Sequence, residues 1–229
     1  MSVGLVFCHG WGLSHRFWQP LRAALSDLPQ VVTEAGYFGD AAQPIDRSQA
    51  EHWVLIGHSR GWAHAWQGRI TAPNAPPAPA WSGTVSLCGF THFCARQAGE
   101  PGQAPRMVER MLKVLDTAPH AVLSDFLQRC GLGHLAPEAD QALNVAALRA
   151  DLASLLTLDI TEAFSTLPCP TLALAARDDV IVSPALSEQC FANSPHTQLV
   201  WHDHGGHALG HVHADACAQY ILTFVQAWR

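Results

Sequence analysis

Short apolar runs, separated by longer stretches of mixed character, set the pattern of this chain. Val3 to Phe7, Trp53 to Ile56 and Thr171 to Ala176 are too short for buried helices and end in polar or glycine-containing turns, so they read as buried strands. Residues 30–34, 84–87 and 198–201 read the same way. Helix-compatible stretches lie between them at 17–28, 47–51, 62–70 and 215–228. A glycine-containing loop to Pro44 and a Pro-rich loop at 73–79 interrupt the series. Strands alternating with helices imply an α/β class with a mainly parallel sheet and helices on both faces. Residues 90–164 break the alternation, with helical patterns at 105–115, 118–129 and 138–158. The expected organisation is therefore a core formed by residues 1–89 and 165–229, with an all-helical cap inserted at 90–164. Such caps exclude water and shape a pocket.

The turns that end these strands carry the candidate chemistry. The Trp53 run leads into Gly57-His58-Ser59-Arg60-Gly61, a G-x-S-x-G sequence between a strand and a helix. A turn this sharp strains the serine backbone and lifts its hydroxyl above the sheet edge. The first run ends in His9-Gly10-Trp11-Gly12, where a serine hydrolase places one oxyanion donor. The expected donors are the backbone N–H groups of Trp11 and Arg60. The base and its orienting acid should follow in the order acid, then histidine. The third run ends in Asp178-Asp179-Val180-Ile181-Val182, and the last leads into His202-Asp203-His204-Gly205-Gly206-His207. Ser59, Asp179 and His207 are the expected triad, with His207 as base and Asp179 holding its tautomer. Asp178, His202 and His204 are the competing choices.

Composition narrows the alternatives. Five histidines between His202 and His213 raise the question of zinc, but they lack the order of common hydrolytic metal motifs, and Gly205-Gly206 prevents one helix from presenting them all. No metal and no cofactor is expected. Seven cysteines without a C-x-x-C pair suggest a reducing, cytoplasmic setting. No signal peptide and no apolar run long enough to span a bilayer is read from the sequence. A formal charge of −6, without a basic stripe, argues against nucleic acid. Between Arg96 and Arg149 the six cations (with Arg106, Arg110, Lys113 and Arg129) balance six acids. The segment is neutral and would repel an acidic partner less than the body does.

With these residues in place the chain resembles the α/β-hydrolases, and among them the BioH-type pimeloyl-[acyl carrier protein] methyl ester esterases. The resemblance covers essentially the whole chain. It is most specific at His9-Gly10-Trp11-Gly12-Leu13 with Phe17-Trp18, at Asp179 with Ile181-Val182, and at Gly206-His207-Ala208. It extends to the stretch from Pro105 to Gly131 with Asp116, and to Asp159-Ile160 before Leu167-Pro168-Cys169-Pro170. The elbow departs from the family, with His58 and Arg60 in place of an aromatic and an aliphatic residue. Arg60 is open to two readings, contact with an acyl carboxylate or a solvent-facing position. The resemblance implies a monomeric serine carboxylesterase that cleaves pimeloyl-[acyl carrier protein] methyl ester in biotin synthesis through an acyl-enzyme. It also implies that cap arginines dock the carrier. His9, His58, Phe90, Arg106, Arg110 and Arg129 are the expected substrate-side residues. A general short-acyl esterase or thioesterase is the alternative. C–C bond hydrolases share the same parts, and a catalytically silent binding protein on the same fold is the rival from another class.

Overall fold

The computed structural model describes residues 2–39, 49–66, 81–166 and 169–229. In chain order the strands are β1 (Val3–Cys8), β2 (Gln30–Thr33), β3 (His52–His58), β4 (Gly83–Leu87), β5 (Thr171–Ala176) and β6 (Thr197–His202). They form one sheet of order β2-β1-β3-β4-β5-β6 in which every neighbouring pair is parallel. β1, β4 and β5 are buried at every position, and β3 at every position after His52. Side chains alternate across a strand, so continuous burial means that both faces are covered.

The helices are α1 (Gln19–Ala24), α2 (Arg60–Trp66), α3 (Pro105–Leu115), α4 (Pro119–Arg129), α5 (Val145–Ser154), α6 (Thr161–Thr166), α7 (Pro184–Phe191), α8 (Leu209–Val212) and α9 (Ala214–Phe224). α1 packs against α8 and α9. α2, α6 and α7 meet through Trp62, Trp66, Phe164 and Phe191, whose rings stand edge to face at 5.2 to 5.8 Å. α3 packs on α4 and α5 between β4 and β5 in sequence. Among the described residues this stretch holds no strand, only isolated bridges at His92 with Asp159 and Cys94 with Gln103.

Several boundaries differ from the sequence pattern, for local reasons. The stretch 17–28 becomes a 3₁₀ turn, His15–Trp18, followed by α1 with Pro20 in its first turn. Gln30 Nε2 then donates to the carbonyls of Arg22 and Leu25 at 3.0 and 2.7 Å, satisfying the end of α1 early. The pattern at 138–158 shortens to α5, because Asn144 caps it by accepting the Ala147 N–H at 3.1 Å. The last helix passes into a 3₁₀ turn at Val225–Trp228. α6, α7 and α8 are additions to the pattern. The expected features at 40–48, 67–80 and 167–168 lie outside the described residues.

Candidate active site

Ser59 sits in the turn between β3 and α2 with φ of 53°, one of two non-glycine residues at positive φ among the described residues. A Cβ at Gly57 would overlap the backbone of Trp62, and one at Gly61 would overlap the carbonyls of Cys8 and His9. Glycine at both positions is what lets helix and strand meet so tightly. The Ser59 N–H donates to the Leu87 carbonyl at the end of β4 (3.0 Å), which fixes the turn to the sheet.

The Ser59 hydroxyl faces His207 Nε2 at 3.0 Å, and His207 Nδ1 faces Asp179 Oδ2 at 2.8 Å. All three residues are buried. Asp179 Oδ1 accepts the N–H groups of Ile181 (2.8 Å) and Val182 (2.9 Å). Those two bonds orient the carboxylate toward the imidazole and explain the spacing of the acid loop. With Nδ1–H donating to the carboxylate, Nε2 presents its lone pair to the serine. Asp178 has a separate task. Its Oδ1 accepts the Gly206 N–H (2.8 Å) and its Oδ2 the Gly205 N–H (3.3 Å), pinning the turn that presents His207. Gly205 and Gly206 there have φ of 124° and 52°. His202 packs edge-on against Tyr220, and the His204 side chain is exposed, so neither competes for Ser59.

The loop after β1 lies directly against the elbow. A Cβ on Gly10 would approach His58 Nδ1 to 2.7 Å and Ser59 Cβ to 3.1 Å. Trp11, next in sequence, is buried. No acceptor among the described residues meets the backbone N–H of Trp11 or of Arg60. His9 is turned away from Ser59. Its ring spans the Gly10 carbonyl (2.9 Å) and Glu34 Oε2 (3.2 Å), and it holds the loop in shape. Burial would raise the Glu34 carboxyl, but hydrogen bonds from His9 and His15 outweigh it and hold the group below its ordinary range.

A cavity of about 20 Å³ opens beside Ser59, close to the room needed by one water. Trp11 and Arg60 share its wall with Phe93, Met107, Val108, Met111, Phe126, Leu152, Leu155 and Ile181. Outside it, α3 and α4 border a groove of about 380 Å³ lined by Met107, Arg110, Met111, Val114, Val122, Asp125, Phe126 and Arg129. Met107, Met111 and Phe126 line both spaces. Arg110 and Arg129 are exposed in the groove, while Arg106 is exposed outside its lining.

Two more of the expected substrate-side residues, Phe90 and His58, take other positions, and Arg60 takes neither of its two expected ones. Phe90 is fully buried against Phe93, and Phe93 is the ring that reaches the cavity. His58 donates from Nε2 to the His207 carbonyl at 2.9 Å and packs on Phe17, below the pocket. Arg60 does not face solvent: its side chain is 5% exposed and ion-paired with Asp151. Sequence pattern offers Asp178 only as a rival acid and does not single out Tyr37, Asp151 or most of the cavity's apolar wall. The i, i+4 pair Met107 and Met111 on α3 is a signal by which part of that wall could have been found.

Among the described residues, one group of three metal-capable side chains is close enough to share an ion: Cys88, Asp179 and His207, within 4.8 Å. Burial and the nearby Asp179 charge push the Cys88 thiol well up, and its Sγ points to the Gly206 carbonyl at 3.4 Å. A metal-ligating cysteine must be a thiolate, so this site favours the thiol and the existing Asp179–His207 bond.

No protein-family profile matches the chain. A pimeloyl-[acyl-carrier protein] methyl ester esterase of Yersinia enterocolitica is 28% identical over 251 residues, covering 97% of this chain and 93% of that one. RutD of Klebsiella pneumoniae, named for a provisional carbamate hydrolase assignment, is 26% identical, covering 92% and 86%. The structure of an esterase from Exiguobacterium antarcticum superposes with a TM-score of 0.79 at 14% identity, covering 98% of this chain and 92% of that one. The chain has the α/β-hydrolase fold and is similar over nearly all its length to the BioH-type pimeloyl-[acyl-carrier protein] methyl ester esterases.

Proposed function

We propose that this hydrolase is a serine carboxylesterase whose nucleophile is Ser59, whose base is His207 and whose orienting acid is Asp179. The observation that carries the reading is the relay of 3.0 and 2.8 Å from a strained serine through one histidine to a doubly anchored carboxylate. Ser59 Oγ attacks the ester carbonyl as His207 Nε2 takes its proton. The tetrahedral oxyanion is held by the backbone N–H groups of Trp11 and Arg60, each donor supplying about 3 kcal/mol to the transition state. His207 returns the proton to the leaving alcohol. Water, activated by the same imidazole, then attacks the acyl-enzyme, and the acid is released.

The substrate we infer is an acyl methyl ester carried on acyl carrier protein, with a pimeloyl chain as the named candidate. Similarity to the methyl ester esterases over 97% of the chain supports it. So does the position of the groove. Arg110 and Arg129 border an outer space that shares Met107, Met111 and Phe126 with the Ser59 cavity. Arginine suits a phosphate or an acidic helix, and methionine side chains move easily to admit a chain. In this reading residues 90–164 form a cap over the serine.

The test compares pimeloyl methyl ester tethered to carrier protein with short p-nitrophenyl esters and methyl carbamates. Ser59→Ala should abolish turnover of all of them. Arg110→Glu with Arg129→Glu should raise KM for the tethered ester tenfold or more, leaving the small esters nearly unchanged. Turnover of only the small esters would remove the carrier reading and leave the serine mechanism. Preference for carbamates would move the substrate to that class.

A further inference from the structure

One helix of the insertion touches both residues that supply the proposed oxyanion donors. The indole Nε1–H of Trp11 donates to the Leu148 carbonyl on α5 at 2.8 Å. The Arg60 guanidinium is ion-paired with Asp151 on the same helix. Tyr37 completes this contact, accepting from Arg60 Nη1 at 3.1 Å and donating to Asp151 Oδ2 at 2.6 Å. One turn further on, Ser154 Oγ lies 3.3 Å from His64 Nε2 of α2. Positions 148, 151 and 154 follow one another at i+3 spacing and so lie along one side of the helix. The other end is tied as well: the N–H of Asn144, which caps α5, donates to the Tyr37 carbonyl at 2.8 Å.

These contacts are costly to lose. The Arg60 side chain is 5% exposed and Asp151 is 22% exposed. A guanidinium keeps its charge at any working pH, so burial obliges it to keep a carboxylate partner. Its Nε has no partner among the described residues, which leaves Asp151 and Tyr37 to satisfy it. An oxyanion donor is effective when its position is set before charge develops, and a loop alone sets position poorly. The Trp11 loop and the elbow come from different strands. α5 is the rigid element that spans them.

We propose that α5 is the strut of the oxyanion hole, with Asp151 and Tyr37 as positioning residues for Arg60 and the Leu148 carbonyl as the anchor for Trp11. This proposal rests on the serine-esterase reading above. Its consequence is that the hole is complete only while α5 is seated, so acyl access through the insertion and catalytic competence are coupled.

Asp151→Asn keeps the size and one acceptor while removing the charge, and Trp11→Phe keeps the ring against Phe126 while removing the indole N–H. The full-length variants are assayed on a short p-nitrophenyl ester, with active sites counted by exhaustive fluorophosphonate labelling. Each substitution should lower kcat per labelled site by about tenfold or more with KM held within about threefold, the signature of a contact made in the transition state. Inhibition by a trifluoromethyl ketone, which forms an oxyanion on Ser59, should weaken by the same factor as kcat/KM. Unchanged kcat per labelled site, or a loss confined to the labelled fraction, would overturn the strut and leave α5 as ordinary packing. If Asp151→Asn does not fold, Tyr37→Phe and Trp11→Phe carry the same readouts. A wild-type chain that resists labelling, with ester turnover indifferent to Ser59→Ala, would instead remove the serine mechanism and the strut with it.

Discussion

At the residue scale, His58 is held neutral by its surroundings. Its Nε2–H is committed to the His207 carbonyl, and its Nδ1, closed in by Gly10, has no partner among the described residues. Burial, then the neighbouring His207, lowers its pKa well below the ordinary histidine value. The unfolded chain binds a proton here near pH 6.5 while the folded chain resists it, so stability falls as pH drops below about 6.5. His92 and His202 are lowered in the same direction, chiefly by burial, and add to the effect. Unfolding free energies from urea melts between pH 7.5 and 5 should decline, by up to about 1.4 kcal/mol per pH unit for each such histidine. His58→Gln should flatten part of that slope, and an equal slope in both proteins would show that His58 titrates alike folded and unfolded. The contrast with His207 marks what is readable at this scale. Ser59, Asp179 and His207 stand in short motifs at strand ends, so local sequence picks out their places in the relay. The directions taken by His9, His58 and Arg60 depend on Glu34, His207 and Asp151, partners remote in sequence that no local pattern reveals.

At the scale of elements, side chains decide where helices stop and whether short ones exist. α1 ends at the reach of Gln30, a residue of the following strand, and α5 begins at Asn144, a single polar residue inside a pattern that looks continuous. α6 has six residues, too few to persist alone, and owes its existence to the packing of Phe164 among Trp62, Trp66 and Phe191. Phe164→Ala should therefore cost about 3–5 kcal/mol, seen as a lower urea midpoint with an unchanged slope. A cost below about 1 kcal/mol would mean that the cluster collapses onto the gap. The strands were legible because buried parallel strands read as unbroken apolar runs. α3, α4 and α5 were legible as helices, while the seating of α5 on Trp11 and Arg60 was not, since the bonds run to a backbone carbonyl and a lone aspartate.

For the whole molecule, alternation of apolar runs and helices was enough to give a parallel α/β sheet, and the order β2-β1-β3-β4-β5-β6 follows its logic. All seven cysteines are free and buried. Burial pushes the thiols of Cys8 and Cys217 up to about 12 and those of Cys94 and Cys169 to about 11. Ellman's reagent at pH 8 should thus label the native protein slowly and all seven thiols promptly in guanidinium, whereas fast native labelling would reveal an opening of the core. No helix among the described residues is long and apolar enough to cross a membrane.

The pairing of β4 with β5, Thr84 beside Thr171, has a consequence in time. A ribosome adding about 5–20 residues per second finishes β4 on the order of ten seconds before β5 emerges. Through that interval the Ser59 turn can already close on Leu87, while Asp179 and His207 have yet to emerge from the ribosome. The nascent chain therefore displays the Ser59 turn before the proposed base exists, and in the serine-esterase reading no hydrolysis precedes the emergence of His207.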